Sequence, residues 1–248
     1  MSTPNIGNER FNAEAASWDQ NPTVHKASAL AVEAILSHVP TLKTQPNTID
    51  VLEIGCGTGL LSFLLAPYVR SLTAVDAAQG MIDALAVKLS YDSSPQNIHP
   101  IAASLSDPND PVLFLDPLTK ASIPGRRFDL IISHLVLHHI PSLPAILRTM
   151  HRCLREGGRV ALSDFEDFGP EAERFHPQAR MEGVVRHGIK RTEMAELMRD
   201  AGFVDVRVET AFEMEKGVEK TPGAGVVKDE GGTKMVFPFL ICLGVKSR

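Results

Sequence analysis

Between residues 49 and 165 short apolar runs alternate with segments of helical period, the order required by parallel strands joined through crossover helices. Ile49–Ile54 is a β-branched run ending in glycines, and Leu60–Val69 suits a helix with Pro67 near its end. Leu72–Asp76 reads as a second strand, followed by an amphipathic helix over Met81–Leu89. A third strand is predicted around Ile98–Ala103, and a fourth at Phe128–Ser133, apolar enough for burial on both faces. Pro144–Leu154 reads as a helix for which Gly157 and Gly158 supply the left-handed cap, and Arg159–Asp164 as strand five.

The rhythm then changes. Thr192 can cap a helix running to about Ala201, and Phe203–Phe212 alternates apolar with charged residues, as a half-exposed strand does. Met235–Val245 is a final apolar strand, with Pro238 fitting a free edge or a bulge. The intervening residues 215–234, rich in glycine and charge, predict a long mobile hairpin loop. Residues 1–45 differ in character from 46–248: helices are predicted over Phe11–Gln20 and Thr23–His38, with Pro40–Asn47 as a connector.

Composition narrows the class. The 248 residues are 44% hydrophobic and 22% charged, enough to bury a sizeable core. Twenty-five Lys and Arg against 30 Asp and Glu give a formal charge of −5 without a basic block, so nucleic acid is not the expected partner. No apolar run is long enough for a membrane span, and Met1–Arg10 lacks an apolar signal core, so a cytoplasmic protein is expected. Cys56, Cys153 and Cys242 form no C-x-x-C pair and predict neither a disulfide framework nor a thiolate zinc site.

Candidate chemistry concentrates after strand one. Glu53-Ile54-Gly55-Cys56-Gly57-Thr58-Gly59 is a tight strand-to-helix turn whose backbone can approach a ligand closely where glycines leave no side chain. Asp76, ending strand two, can accept hydrogen bonds from ribose hydroxyls. Together they predict a nucleotide or nucleoside ligand. The spacing G-x-G-x-G after an acid differs from the G-x-G-x-x-G of dinucleotide sites.

At these residues the sequence resembles the class I S-adenosylmethionine-dependent methyltransferases, whose first motif is matched at Glu53, Gly55, Gly57 and Gly59. Asp76 matches the family's ribose-binding acid, and Phe128–Ile140 and Leu154–Asp164 resemble its fourth-strand motif and its approach to strand five. The likeness covers Ile49–Val245 and is strongest to small-molecule enzymes of ubiquinone and menaquinone biosynthesis. It implies a doubly wound α/β fold with helices on both faces of a seven-stranded sheet of order 3-2-1-4-5-7-6, strand seven antiparallel. It also implies S-adenosylmethionine as cofactor and a small-molecule acceptor. Residues 1–45 would then form a helical lid, in which Phe11, Trp18 and Asp19 resemble the cofactor lid of such enzymes, and 165–191 would cover the acceptor.

Carried over by residue, Gly55, Cys56, Gly57 and Gly59 would pass beside the cofactor's methionine part and ribose, with Glu53 ordering the loop and Asp76 holding the ribose. Ala77 and Met81 would border the adenine. Where the family often has an acid for the adenine amino group, this chain has Ser104 and Leu105, and Ser104 can still hydrogen-bond. Ser133 and His134 fall where cofactor and acceptor meet. His134, His139 and His187 are the catalytic candidates, each with a plain packing or exposed-loop alternative. His134 and His138 share a helical spacing that could hold a metal, but no carboxylate is interleaved and none is expected. A catalytically silent S-adenosylmethionine-binding regulator or scaffold, and a nicotinamide-dependent oxidoreductase, remain as alternatives.

Overall fold

A computed structural model describes residues 6–105, 126–221, 223–225 and 232–248. Helices α1 (Ile6–Trp18), α2 (Pro22–His38) and the short α3 (Thr41–Thr44) lead into β1 (Asp50–Ile54). Then follow α4 (Leu60–Leu65), β2 (Ser71–Asp76), α5 (Gln79–Leu89), β3 (Ile98–Ala102), β4 (Phe128–His134), α6 (Leu143–Cys153) and β5 (Leu154–Phe165). The chain ends with α7 (Arg191–Asp200), β6 (Phe203–Gly217) and β7 (Lys234–Lys246). The strands form one sheet of order β3-β2-β1-β4-β5-β7-β6, parallel from β1 through β5, with β7 antiparallel between β5 and β6. This is the order that the resemblance implied.

Alternation along the buried strands sends neighbours to opposite faces. Val51 and Leu130 join Ile35, Leu42 and Leu65 in a core under α2 and α4, while Leu52 and Ile131 join Leu147, Met150 and Met198 under α6 and α7. Each such side chain contributes roughly 1.5–3 kcal/mol through burial. The caps of α2 and α6 explain their sharp starts: the Asn21 side chain accepts from Thr23 N at 3.0 Å, and Ser142 Oγ accepts from Ala145 N at 3.3 Å.

Several local expectations are corrected. Helix α6 stops at Cys153 and the chain enters β5 at once, so Gly157 is no helix cap. Its φ of 74° falls where the β4–β5 ladder shifts register between Phe128 and Leu130. Thr192 lies inside α7 and does not cap it; Lys190 stands at the cap without a side-chain bond. The helix start is held instead by Arg191, whose guanidinium donates to Glu166 at 3.0 and 3.2 Å and to Thr210 at 2.8 Å. The loop expected over 215–234 is shorter, because Glu215, Lys216 and Gly217 pair with Val236, Met235 and Lys234 in the β6–β7 ladder. Residues 222 and 226–231 of that stretch lie outside the described residues, as do Met1–Asn5 of the N-terminal segment. Pro238 is not on a free edge: it lies in β7 between β6, where it stands opposite Glu213, and the end of β5, and its carbonyl accepts from Glu166 N at 2.8 Å just past the last β5–β7 pair.

Candidate functional site

A cavity of about 480 Å³ opens at the carboxyl ends of β1, β2 and β4, where strand order reverses in a doubly wound sheet. One wall is the turn after β1. Its three glycines all have positive φ, 73° at Gly55, 54° at Gly57 and 84° at Gly59, a region that L side chains rarely adopt. Their surroundings differ. A Cβ at Gly55 would stand 2.2 Å from Val136 Cγ2 and one at Gly59 2.6 Å from Leu85 Cδ1, so these two serve packing inside the protein. At Gly57 the nearest atom is Trp18 Nε1 at 4.0 Å, so Gly57 alone leaves main chain bare toward the cavity.

Asp76 ends β2 beside that turn. One carboxylate oxygen accepts from Gly57 N and the other from Ala78 N, each at 2.8 Å, which fixes the acid against the loop. Burial pushes its carboxyl above the usual range, while the amides of Ala78 and Gly57 pull back. Glu53 is buried deeper, receiving the Ser62 hydroxyl of α4 at 2.5 Å; burial raises its pKa to about 8, with Asp76 adding to the rise, so it is a neutral acid at pH 7. It thus ties strand to helix without placing a second charge in the cavity.

The N-terminal helices close this end. Asn8 Nδ2 donates to Ala77 O at 3.1 Å, and Asn12 Oδ1 accepts from Gly80 N at 2.7 Å, which seats α1 on the start of α5. Asp19 receives Lys88 Nζ at 2.6 Å and the Thr58 hydroxyl, joining the end of α1 to the glycine turn. Phe11 packs edge-on against Trp18 and against His139, with centroids 5.9 and 5.1 Å apart.

The opposite end of the cavity is built from histidines. Strand β4 breaks at Leu135, a non-glycine residue at φ 58°, and the chain turns into a 3-10 segment, Leu137–His139. His138 is buried, and its Nδ1 faces Asp164 at the end of β5, at 2.8 and 3.0 Å from the two oxygens. Burial favours the neutral Asp164, but His138 and the amides of His138 and Phe165 prevail and hold the carboxyl below its ordinary range. A carboxylate there fixes the proton on Nδ1, and the buried Nε2 has no protein partner. His139 Nδ1 donates to Gly183 O at 2.8 Å, which leaves its Nε2 an acceptor, and burial with His138 nearby lowers its pKa to about 3. His176 comes from the segment after β5; burial first, then His138 and Lys216, lower its pKa to about 2. Ring nitrogens of His138, His139 and His176 lie within 4.8 Å of one another, a donor set that could take a metal ion. Arg10 and Lys216 line the same end and oppose a cation there.

Of the residues expected in a site, Glu53, Gly55, Cys56, Gly57, Asp76, Ala77, Met81, Ser104, Leu105, His134 and His139 all line the cavity. Gly59 and Ser133 do not: Gly59 packs on Leu85, and the Ser133 hydroxyl is buried against Ile54 O at 2.9 Å. His134 is half-buried, its two ring nitrogens are buried without a partner in the protein, and desolvation lowers its pKa to about 4. His187 is not brought to the cavity. Val185 N and Arg186 N both donate to His138 O, at 3.0 and 3.2 Å, and the Arg186 guanidinium caps the carbonyls of Leu137 and Ile140. That clamp presents Gly183 to the cavity and carries His187 past it. Sequence reasoning missed Asp164, Arg10 and Lys216, placed His176 in the acceptor-covering segment without making it a candidate, and gave His138 only a metal or packing role. An acid ending the strand next to a histidine-bearing one was the available signal for Asp164 and His138.

Comparison with known proteins agrees with this geometry. A family model described as a methyltransferase domain matches residues 25–208. A malonyl-[acyl-carrier protein] O-methyltransferase from Paenibacillus sp. is 30% identical over 222 residues, covering 82% of this chain and 73% of that protein. Phosphoethanolamine N-methyltransferase 1 of Arabidopsis thaliana is 28% identical over 182 residues, 72% of this chain and 33% of that protein. The N-methyltransferase NodS from Bradyrhizobium japonicum, solved with S-adenosyl-L-homocysteine, superposes with a TM-score of 0.57 at 15% identity, covering 98% of this chain and all of that one, a likeness of fold. The chain spans about a third to a half of the length of several curated relatives that it matches. Among the described residues no helix is long and apolar enough to cross a membrane.

Proposed function

The chain belongs to the class I S-adenosylmethionine-dependent methyltransferase family, and from that premise we propose that it transfers a methyl group from S-adenosylmethionine to a small-molecule acceptor by in-line displacement. The observation that carries this reading is the pairing of bare main chain at Gly57 with the Asp76 carboxylate on one cavity wall. This is a cradle that a Cβ would fill, beside an acid with lone pairs to spare for two hydroxyls. Asp76 holds the ribose, Gly55, Cys56 and Gly57 border the methionine part, and Ala77, Met81, Ser104 and Leu105 form the adenine wall. Gly59 and Glu53 act indirectly, Gly59 by packing and Glu53 by ordering the turn. Residues 1–45 cover the cofactor end and 165–191 the acceptor end.

When bound, the cofactor supplies a methyl group on a positively charged sulfur with a neutral thioether as leaving group. The protein therefore needs mainly to align the reactants and exclude water. Leu135, Val136 and His134 give the wall between the two ends its apolar character, since a histidine with a pKa of about 4 is neutral. Where the acceptor carries a proton, His138 takes it at Nε2, steadied through Nδ1 by Asp164. The three cysteines are buried thiols, which supports a reducing, cytoplasmic setting.

Calorimetric titration with S-adenosylhomocysteine, followed by labelled-methyl turnover on a metabolite panel, tests the proposal. Saturable binding and transfer to at least one acceptor is the expected result. Binding of NAD without S-adenosylhomocysteine would overturn it in favour of an oxidoreductase, and binding with no transfer to any acceptor would favour the silent reading.

A further inference from the structure

The acceptor end carries more positive charge than the carboxylates facing it can pair. Arg10 from α1, Arg180 from the segment after β5 and Lys216 from β6 all line the cavity. Glu14 is the carboxylate that faces them there, and it approaches Arg180 at 3.9 Å. Among the described residues no carboxylate lies within ion-pair distance of Arg10 or Lys216. Their partners are neutral: Arg10 Nη1 donates to Arg180 O at 2.5 Å, and Lys216 Nζ donates to Phe175 O. Each cation also lies over an aromatic ring, Arg10 4.5 Å from the Phe11 centroid and Lys216 4.3 Å from that of Phe175.

One carbonyl apiece leaves most donors of an ammonium and a guanidinium unused, and the Arg10 Nε is buried with no acceptor at all. A half-buried charge without an ion-pair partner is costly. The cost shows in Lys216, whose pKa burial and then Arg180 lower to about 8. Burial likewise lowers Arg10, with Glu14 and Glu182 opposing and Arg180 assisting. The two cations act on the same space, since both are felt at His176. A field of that sign, beside the neutral imidazoles of His139 and His176, suits an anion and repels a metal ion.

We propose that Arg10 and Lys216 form an oxyanion subsite for the methyl acceptor, so that the acceptor is a small molecule with a carboxylate or phosphate monoester on an otherwise apolar body. The inference rests on the methyltransferase reading of the cavity and adds the acceptor's chemical class. The apolar body is called for by Phe175 and Met214, which line the cavity on the Lys216 side, with Leu135 packed against their cluster. Two neutral carbonyl contacts in place of ion pairs leave both cations ready for a ligand that brings its own charge.

The test uses protein saturated with S-adenosylhomocysteine, titrated by calorimetry with hexanoate, hexyl phosphate and neutral hexanamide. Binding of one or both anions, with hexanamide at least about tenfold weaker, is the expected result, and the stronger anion identifies the headgroup. The variants Lys216→Met and Arg10→Met should each weaken the anion by about tenfold or more, the loss of one charge-assisted hydrogen bond, with hexanamide unchanged and S-adenosylhomocysteine affinity within about twofold. Lys216→Met should also raise Tm in ligand-free protein, because it removes a half-buried charge that has no ion-pair partner; a purely structural lysine would lower it. Equal binding of hexanamide and both anions, or anion binding insensitive to both variants, overturns the subsite and leaves the cofactor reading intact. Absence of S-adenosylhomocysteine binding overturns the cofactor reading itself.

Discussion

Replacing Asp76 with Asn tests the cofactor wall most directly, because it keeps the shape and removes the charge. The carboxylate satisfies Gly57 N and Ala78 N at 2.8 Å each, one with each oxygen. An amide can serve only one of them and turns an NH₂ toward the other, so about 1–3 kcal/mol of stability goes with the unmade bond. The ligand loses more specifically: a hydroxyl donating to a charged oxygen contributes about 1.5–3 kcal/mol, which is about a 10- to 150-fold rise in Kd. Calorimetry with S-adenosylhomocysteine reads that change, and a thermal melt reads the cost to the fold. Asp83→Asn, on the exposed face of α5 where Asp83 meets Gln79, is the matched control and should change neither. Acidification adds a signature. The wild-type carboxyl is raised by burial, and bound hydroxyls favour its ionised form, so affinity should fall as pH drops toward that raised pKa. Asp76→Asn should lack this dependence. A folded Asp76→Asn protein that binds within about twofold of wild type at every pH would refute the assignment.

The other predictions separate packing from binding. Gly57→Val should abolish S-adenosylhomocysteine binding while the protein still folds, losing roughly 1–2 kcal/mol to backbone strain at φ 54°. Gly55→Ala and Gly59→Ala, which collide with Val136 and Leu85, should instead lower Tm steeply, and equal effects of all three on Tm would contradict the division. Glu53 has its folded pKa raised to about 8 from 4.5, so the stability it confers as a neutral acid is present below about pH 4.5 and is lost as pH climbs to about 8. Glu53→Gln should therefore gain on wild type across that window in chemical denaturation and level off beyond it; a constant gap sinks the idea. Asp19→Ala removes the bonds from Lys88 and Thr58 and should speed S-adenosylhomocysteine release and raise hydrogen exchange in α1, with exchange in β1 unaltered. With an acceptor that must lose a proton, His138→Gln should reduce turnover by about 100-fold or more, in the range typical of a lost general base, while cofactor affinity stays within about twofold.

The succession of strands and helices and the glycine turn were legible because they rest on local periodicity and on residue types with few uses, whereas the strand order came from the family resemblance. Asp76 follows β1 by one crossover unit, so sequence spacing and spatial proximity coincide. That coincidence fails at the acceptor end. His138, Asp164, His176 and Lys216 come from four separate stretches of chain and meet only once β4, β5 and β6 are aligned. His187 was expected there because it lies in the covering segment, but the hydrogen bonds of Val185 and Arg186 to His138 O decide which part of that segment faces inward. No pattern of apolar and polar residues encodes such a clamp. The Gly157 and Thr192 errors have a simpler origin: glycine and threonine are common helix punctuation, and here a bulge and an ion pair from Arg191 used the positions otherwise.

The cavity holds an excess of cations at one end and an acid without a cationic partner at the other, and this ordering connects the two halves of the proposal. Acidic side chains, Asp76 and the neutral Glu53, stand at the β1–β2 end. Arg10, Arg180 and Lys216 stand at the other beside neutral His139 and His176, with Glu14 as a carboxylate facing them, and neutral His134 lies between. A cationic donor is favoured at the first end and an anionic acceptor at the second, so each ligand carries the charge that its own end lacks. Either ligand alone leaves an unbalanced charge in a poorly hydrated space; the pair together cancels. The expected consequence is reciprocal coupling: S-adenosylmethionine, with its sulfonium, should raise the affinity for hexanoate more than the uncharged S-adenosylhomocysteine does, and hexanoate should raise S-adenosylmethionine affinity by the same factor. Lys216→Met should reduce that factor. Identical hexanoate affinities with the two cofactor forms would show that the charge ordering does no work in binding.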